Sequence, residues 1–428
     1  MDGYIPQDGP VITRMSDSEK QIKQIMIKKD ATNYIIVGAL AAFFVICVEL
    51  FRRMTVSYPG ILGTYYSDIN VRLGMGEDHY SIFLIPEYFF VDKFGLDLGA
   101  VFIGIYLSSV VIGTILLVYL LLKKICSGVS AGLLFAFSFV CILAIPIFIP
   151  IMSERIFSPY AGSVWHNESY LGMRFMAVLI LLNFYRTNET YLERFSLKDF
   201  FISSLLFLLV NWIKPNFIIA FGPAMLIMMI VDIIRAKGKH FVRWMLYGIP
   251  VLIGSLILPF QYLILFPGND SSSGNGSGVT LIFGDFFFVQ KHPIINLLFA
   301  IAFPVFMFII HRKEFIKSKF HMVCSLGWVF AFLEFFFMSE TGIRRGHENF
   351  YWGVRFFTFL VFCLSIGYFI NDLRAYRMNK KNSADKENSK RNSTISLFFV
   401  ENMFVLLHLL AGLVYFILVV LGSRASEL

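Results

Sequence analysis

From Leu98 to Leu122 the chain runs through an apolar stretch without one charged side chain. A helix needs roughly 17 to 25 such residues to cross a bilayer, and runs of similar character recur along the sequence. They fall at Tyr34–Phe51, Leu98–Leu122, Val129–Ile151, Tyr170–Phe184, Asp199–Ile213, Asn216–Ile234, Arg243–Phe266, Pro293–Ile310, Met322–Met338, Tyr351–Ile370 and Ser396–Leu421. With 57% apolar and 15% charged residues, there is too little polar surface for a water-soluble globule. The expectation is an all-α polytopic membrane protein with about eleven transmembrane helices. The runs at 170–184 and 199–213 are short for that role.

Lys and Arg accumulate on the cytoplasmic side of such proteins. A cytoplasmic N-terminus puts the basic stretches "RAKGKHFVR", "HRKEFIKSKFH" and "RAYRMNKKNSADKENSKRN" inside, with most of the 37 cations. The net charge of +8 then reflects topology and an anionic leaflet; no nucleic-acid partner is implied. The five cysteines show neither metal-ligand spacing nor a disulfide framework. The chain divides into a cytoplasmic segment (1–33), a transmembrane core (34–371) with a large outer loop (52–97), a disordered cytoplasmic linker (372–395), and a last helix with an outer C-terminus (396–428). Within the outer loop, "YSIFLIPEYFFVDKFGLDLG" has the composition of a helix lying in the interface. The "PGNDSSSGNGSG" segment reads as a flexible outer linker.

This orientation carries four polar stretches to the outer face: "YYSDINVR", "SVWHNESYLGMR", "NWIKPNF" and "ETGIRRGHENFYWGVR". Polar groups at membrane depth are costly and face a bundle interior or cavity, so the four are expected to share one site. Asp68 is either a general base for a hydroxyl nucleophile or part of the cap of a short interfacial helix. Glu77 and Asp78, flanked by glycines, are an exposed turn or further site carboxylates.

Asn167 to Ser169 is positioned to cap the fourth span, which puts Arg174 roughly 7 Å into it. A cation near a helix N-terminus opposes the helix dipole, and Arg355 stands in the same relation to Asn349 and the tenth span. Both call for an anionic partner, a carboxylate or a bound phosphate. His166 suits either a phosphate or sugar hydroxyl or a structural hydrogen bond. Lys214 sits at a tight turn between two spans, where it either serves the end of the fifth span or binds phosphate. Arg344, Arg345 and His347 lie in a loop that a positive-inside topology would keep free of cations. Phosphate binding explains them, and an ion pair with Glu340 is the rival.

A cytoplasmic N-terminus, one span and a large outer loop opening on the acidic "SDIN" motif resemble the GT-C class of integral-membrane glycosyltransferases. The class often carries an acidic pair there; Asp68 matches and Asn70 departs. "WHNES", "KPNF" and "HENFYWG" are also similar to segments of bacterial polytopic proteins from surface-polysaccharide loci. The resemblance implies a transferase that takes sugar from a polyprenyl-phosphate donor and gives it to a lipid-linked or cell-surface glycan, in the plasma membrane of a bacterium. It implies Asp68 as base and Lys214, Arg344 and Arg345 on the leaving phosphate. The departure at Asn70 leads to the expectation that no metal is required, a divalent ion on Asp68 with Glu77 or Asp78 being the alternative. An O-antigen-type polymerase or ligase and a polysaccharide or lipid transporter are the rival classes.

Overall fold

The computed structural model describes residues 17–56, 81–147, 160–265, 278–283, 292–341, 349–382 and 389–422. Two units are distinguished, Met1–Phe43 and Phe44–Leu428. Helix α1 (Asp17–Val56) begins in the first unit and ends in the second. The second unit continues with α2 (Ile85–Ile125), α3 (Ala131–Leu143), α4 (Glu168–Thr187), α5 (Leu197–Ile213), α6 (Asn216–Arg235), α7 (Phe241–Ser255) and α8 (Ile257–Leu265). After strand β1 (Val279–Leu281) come α9 (Pro293–Ile310), α10 (Arg312–Lys317), α11 (Lys319–Phe337), strand β2 (Met338–Glu340), α12 (Tyr351–Asn382) and α13 (Ser389–Val420).

The protein is a helical, multi-pass membrane protein by the length and composition of its helices. Among the described residues, eight helical segments are long and apolar enough to cross a bilayer. The count is lower than the eleven expected because α3 has 13 residues, α5 has 17, and α4 is interrupted by Glu168, Arg174 and Arg186. Among the described residues one strand pairing stands beside the helices: β1 lies antiparallel to β2, with Thr280 opposite Ser339. Helix α12 extends to Asn382 and α13 starts at Ser389, so helix occupies much of the stretch that composition reads as a linker.

Helix α12 is the axis of the bundle. Every residue from Tyr351 to Ile370 is buried, Arg355, Thr358 and Ser365 among them. Helices α2, α3, α6, α9, α11 and α13 pack on it. Large apolar side chains elsewhere stay exposed, such as Leu252 on α7, Leu263 on α8 and Phe399 on α13, which gives the bundle an apolar exterior suited to lipid. At Gly95 the backbone takes φ 71°, a left-handed value that favours glycine. There α2 breaks, and the segment before the break folds back so that Phe90 and Phe94 both meet Phe102. The stretch expected to lie in the interface is thus helical and joined to the helix that follows it.

Helix α3 stops at Leu143, and Ala144 is extended. Pro146 accounts for the stop, since it disfavours helix in the residue before it and supplies no amide donor. Residues 160–167 are also non-helical, yet Tyr160 to Trp165 are buried. Gly162 lies against Phe359, about 12 Å along α12 from its start. Irregular backbone at such depth must find its hydrogen bonds within the protein. Ser163 Oγ donates to the carbonyls of Ile142 and Ala144, Tyr170 Oη donates to the Gly162 carbonyl at 2.7 Å, and the Ile145 amide reaches the His408 carbonyl at 3.3 Å.

Candidate functional site: a cationic and aromatic cluster at three helix N-termini

The local sequence decides where α4 begins. Asn167 is its N-cap, with Oδ1 accepting from the Tyr170 amide at 2.8 Å and from Ser169 Oγ at 3.1 Å. Lys214 ends α5 and Pro215 caps α6, so the chain turns within two residues, as the near-absence of a loop in "NWIKPNF" implies. Together these turns bring the Lys214 ammonium to 3.3 Å from Ser169 Oγ and 3.5 Å from Asn167 Oδ1.

The start of α12 joins the same cluster. Lys214 Nζ stands 4.6 Å from the centroid of the Trp352 ring, and the Arg355 guanidinium lies 4.6 Å from Trp352 and also 4.6 Å from Tyr351. Tyr170 and His166 flank the indole, with centroids at 5.2 and 6.3 Å. Asn216, the first residue of α6, donates Nδ2 to the Asn349 carbonyl at 2.7 Å and to Glu334 Oε1 at 3.3 Å. Asn349 in turn donates Nδ2 to Glu340 Oε2 at 2.8 Å. Glu340, the rival partner for a loop arginine, thus also anchors the turn that opens α12.

The N-termini of α4, α6 and α12 therefore meet, and each presents the positive end of its dipole. Cations placed there are doubly unfavourable without an anion. Arg174 is fully buried, yet its single described hydrogen bond runs from Nη1 to the Gly162 carbonyl at 3.1 Å. Its Nε and Nη2 have no partner among the described residues, and the same holds for Nε of Arg355. Tyr170 and Phe359 cover the Arg174 guanidinium at 5.7 and 5.3 Å. No described carboxylate pairs with either arginine. A buried charge with so few partners normally costs several kcal/mol.

Of the residues singled out from sequence, His166, Asn167, Arg174, Lys214, Glu340, Asn349 and Arg355 fall in or beside this cluster. Asp68, Glu77, Asp78, Arg344, Arg345 and His347 lie outside the described residues. Trp352, Tyr170 and Asn216 also belong to the cluster, though within the quoted polar stretches only their charged neighbours point to a site. Glu334 carries the clearest signal, as the lone acid in an apolar run. It is buried, Oε2 has no described partner, and a side chain at Gly353 would come within 3.1 Å of that oxygen.

The chemistry this arrangement supports is recognition of an anion by guanidinium, ammonium and helix dipoles, with aromatic faces beside them that can cover an apolar or sugar group. Comparison with family models, curated proteins and solved structures gives no match for this chain.

Proposed function

We propose that the protein is a membrane glycosyltransferase that moves a sugar from a polyprenyl-phosphate donor to a lipid-linked or cell-surface glycan acceptor. The reading places eleven spans in the plasma membrane of a bacterium, with the N-terminus inside and the Lys214–Trp352–Arg355 cluster on the outer face. Three helices that are short or polar for a span, α3, α4 and α5, cross within the shelter of the others. The observation that carries it is the pair of buried arginines without a described acidic partner, Arg355 beside the point where three helix N-termini meet and Arg174 deeper, against Gly162 and Phe359. A phosphate supplies the missing charge beside the buried Trp352 ring, against which Lys214 and Arg355 both stand.

In this mechanism Asp68 takes the proton from the acceptor hydroxyl as that oxygen attacks the anomeric carbon. The bond to the donor phosphate breaks with inversion, and Lys214 with Arg344 and Arg345 holds the departing phosphate. Preorganised cations in a water-poor cleft favour that charge most where it develops. Turnover needs no added divalent metal. Asp68→Asn keeps shape but cannot accept the proton, so turnover falls roughly 10²- to 10⁴-fold while donor binding persists. Normal turnover in that variant refutes the base assignment.

Two observations favour a transporter instead. The break after α3 and the buried His408 midway along α13 are features of a substrate path at membrane depth. A transporter would move the glycan lipid across vesicles without forming a glycosidic bond, and product analysis separates the two.

A further inference from the structure

Far from the cluster at the start of α12, a second group of ionisable side chains gathers where α9 meets α10. Asp372 follows Arg355 by about 25 Å along α12, at 1.5 Å per residue. His311, the residue between α9 and α10, places Nε2 2.7 Å from Asp372 Oδ2. Glu401 of α13 completes the group, and one ligand atom from each of the three lies within 4.8 Å of the others.

Two features set this group apart from an ordinary ion pair. Glu401 is only 2% exposed, and its Oε2 has no hydrogen-bond partner among the described residues. The imidazole is also fixed in place, stacked on Tyr368 at 4.7 Å, with Tyr368 in turn stacked on Phe315 at 4.8 Å. Two carboxylates and one oriented imidazole converge, and a single imidazolium cannot satisfy both acids and the orphaned oxygen.

We infer that His311, Asp372 and Glu401 form a binding site for one first-row divalent cation, best matched by Zn²⁺, that ties α9, α12 and α13 together. Ligand atoms about 2.0–2.1 Å from a tetrahedral zinc stand about 3.3 Å from one another, inside the range this group already spans. Imidazole with carboxylate suits zinc; the ring nitrogen disfavours Ca²⁺ and Mg²⁺, which take oxygen ligands, and the lack of sulfur disfavours Cu⁺. Three protein ligands leave a fourth position for water. The site is independent of the glycosyltransferase reading.

The test is zinc titration of the full chain, purified in detergent and stripped with chelator, followed by calorimetry and thermal melting. The wild type is expected to bind one Zn²⁺ and to melt at higher temperature with it, with Mg²⁺ and Ca²⁺ failing to substitute. Glu401→Gln and His311→Gln, each checked by gel filtration, should weaken Zn²⁺ at least tenfold and lose the thermal gain. Either one alone decides the matter if the other does not fold. Absence of saturable binding, or affinity unchanged in a folded variant, overturns the site and leaves a His311–Asp372 hydrogen bond beside Glu401.

Discussion

Asn167→Asp separates the structural role of the cluster from its proposed binding role. Aspartate caps a helix as well as asparagine does, and the Tyr170 amide at 2.8 Å is still satisfied, so the start of α4 stays intact. What changes is charge: a carboxylate oxygen now stands 3.5 Å from the Lys214 ammonium. A phosphate docked against that ammonium would sit about 5 Å from the new carboxylate, where two unit charges repel by about 2–3 kcal/mol at an effective dielectric of 20 to 30. At 1.4 kcal/mol per tenfold, the lower figure predicts roughly thirtyfold weaker binding of a polyprenyl phosphate. Binding is read by fluorescence titration with a short-chain polyprenyl phosphate, and stability by melting in the same detergent. Asn167→Ala should do the reverse, losing the cap and about 0.5–2 kcal/mol of stability with a smaller effect on affinity. Unchanged affinity in Asn167→Asp would mean that no anion seats against Lys214.

Gly412→Ala should destabilise the protein, because a Cβ there would run into the Leu143 carbonyl oxygen, forcing α13 away from the end of α3; overpacking costs about 1–3 kcal/mol, visible as a lower melting temperature, and an unshifted one would refute the close approach. Cysteines introduced at positions 267–278 should label from outside the cell and those at 379–392 only after permeabilisation; labelling of both from one side sinks the eleven-span topology.

Much of the helical layout was legible because apolar length is a local property. The run Pro293–Ile310 is α9 itself, and Asn216–Ile234 falls one residue short of α6. The Asn167 cap and the Lys214 turn were equally local. The run Val129–Ile151 misled because hydropathy counts Pro146 and Pro150 as tolerable, whereas the backbone leaves the helix ahead of the first proline. The burial of α12 was hidden for another reason: its apolar window is less apolar than that of α13, yet among the described spans it alone is buried throughout. Which helix lies at the axis depends on packing between distant segments. Glu334 shows the same limit at the site, since its donor, Asn216, comes from a helix over a hundred residues earlier.

The most direct test of the central claim is a cryo-EM structure of the protein in nanodiscs containing a polyprenyl phosphate. The expected result is phosphate density within hydrogen-bond distance of the Arg355 guanidinium and the Lys214 ammonium, beside the Trp352 ring, absent from an Arg355→Ala preparation. A lipid phosphate bound elsewhere, with Arg174 and Arg355 satisfied by carboxylates of the protein itself, would contradict it.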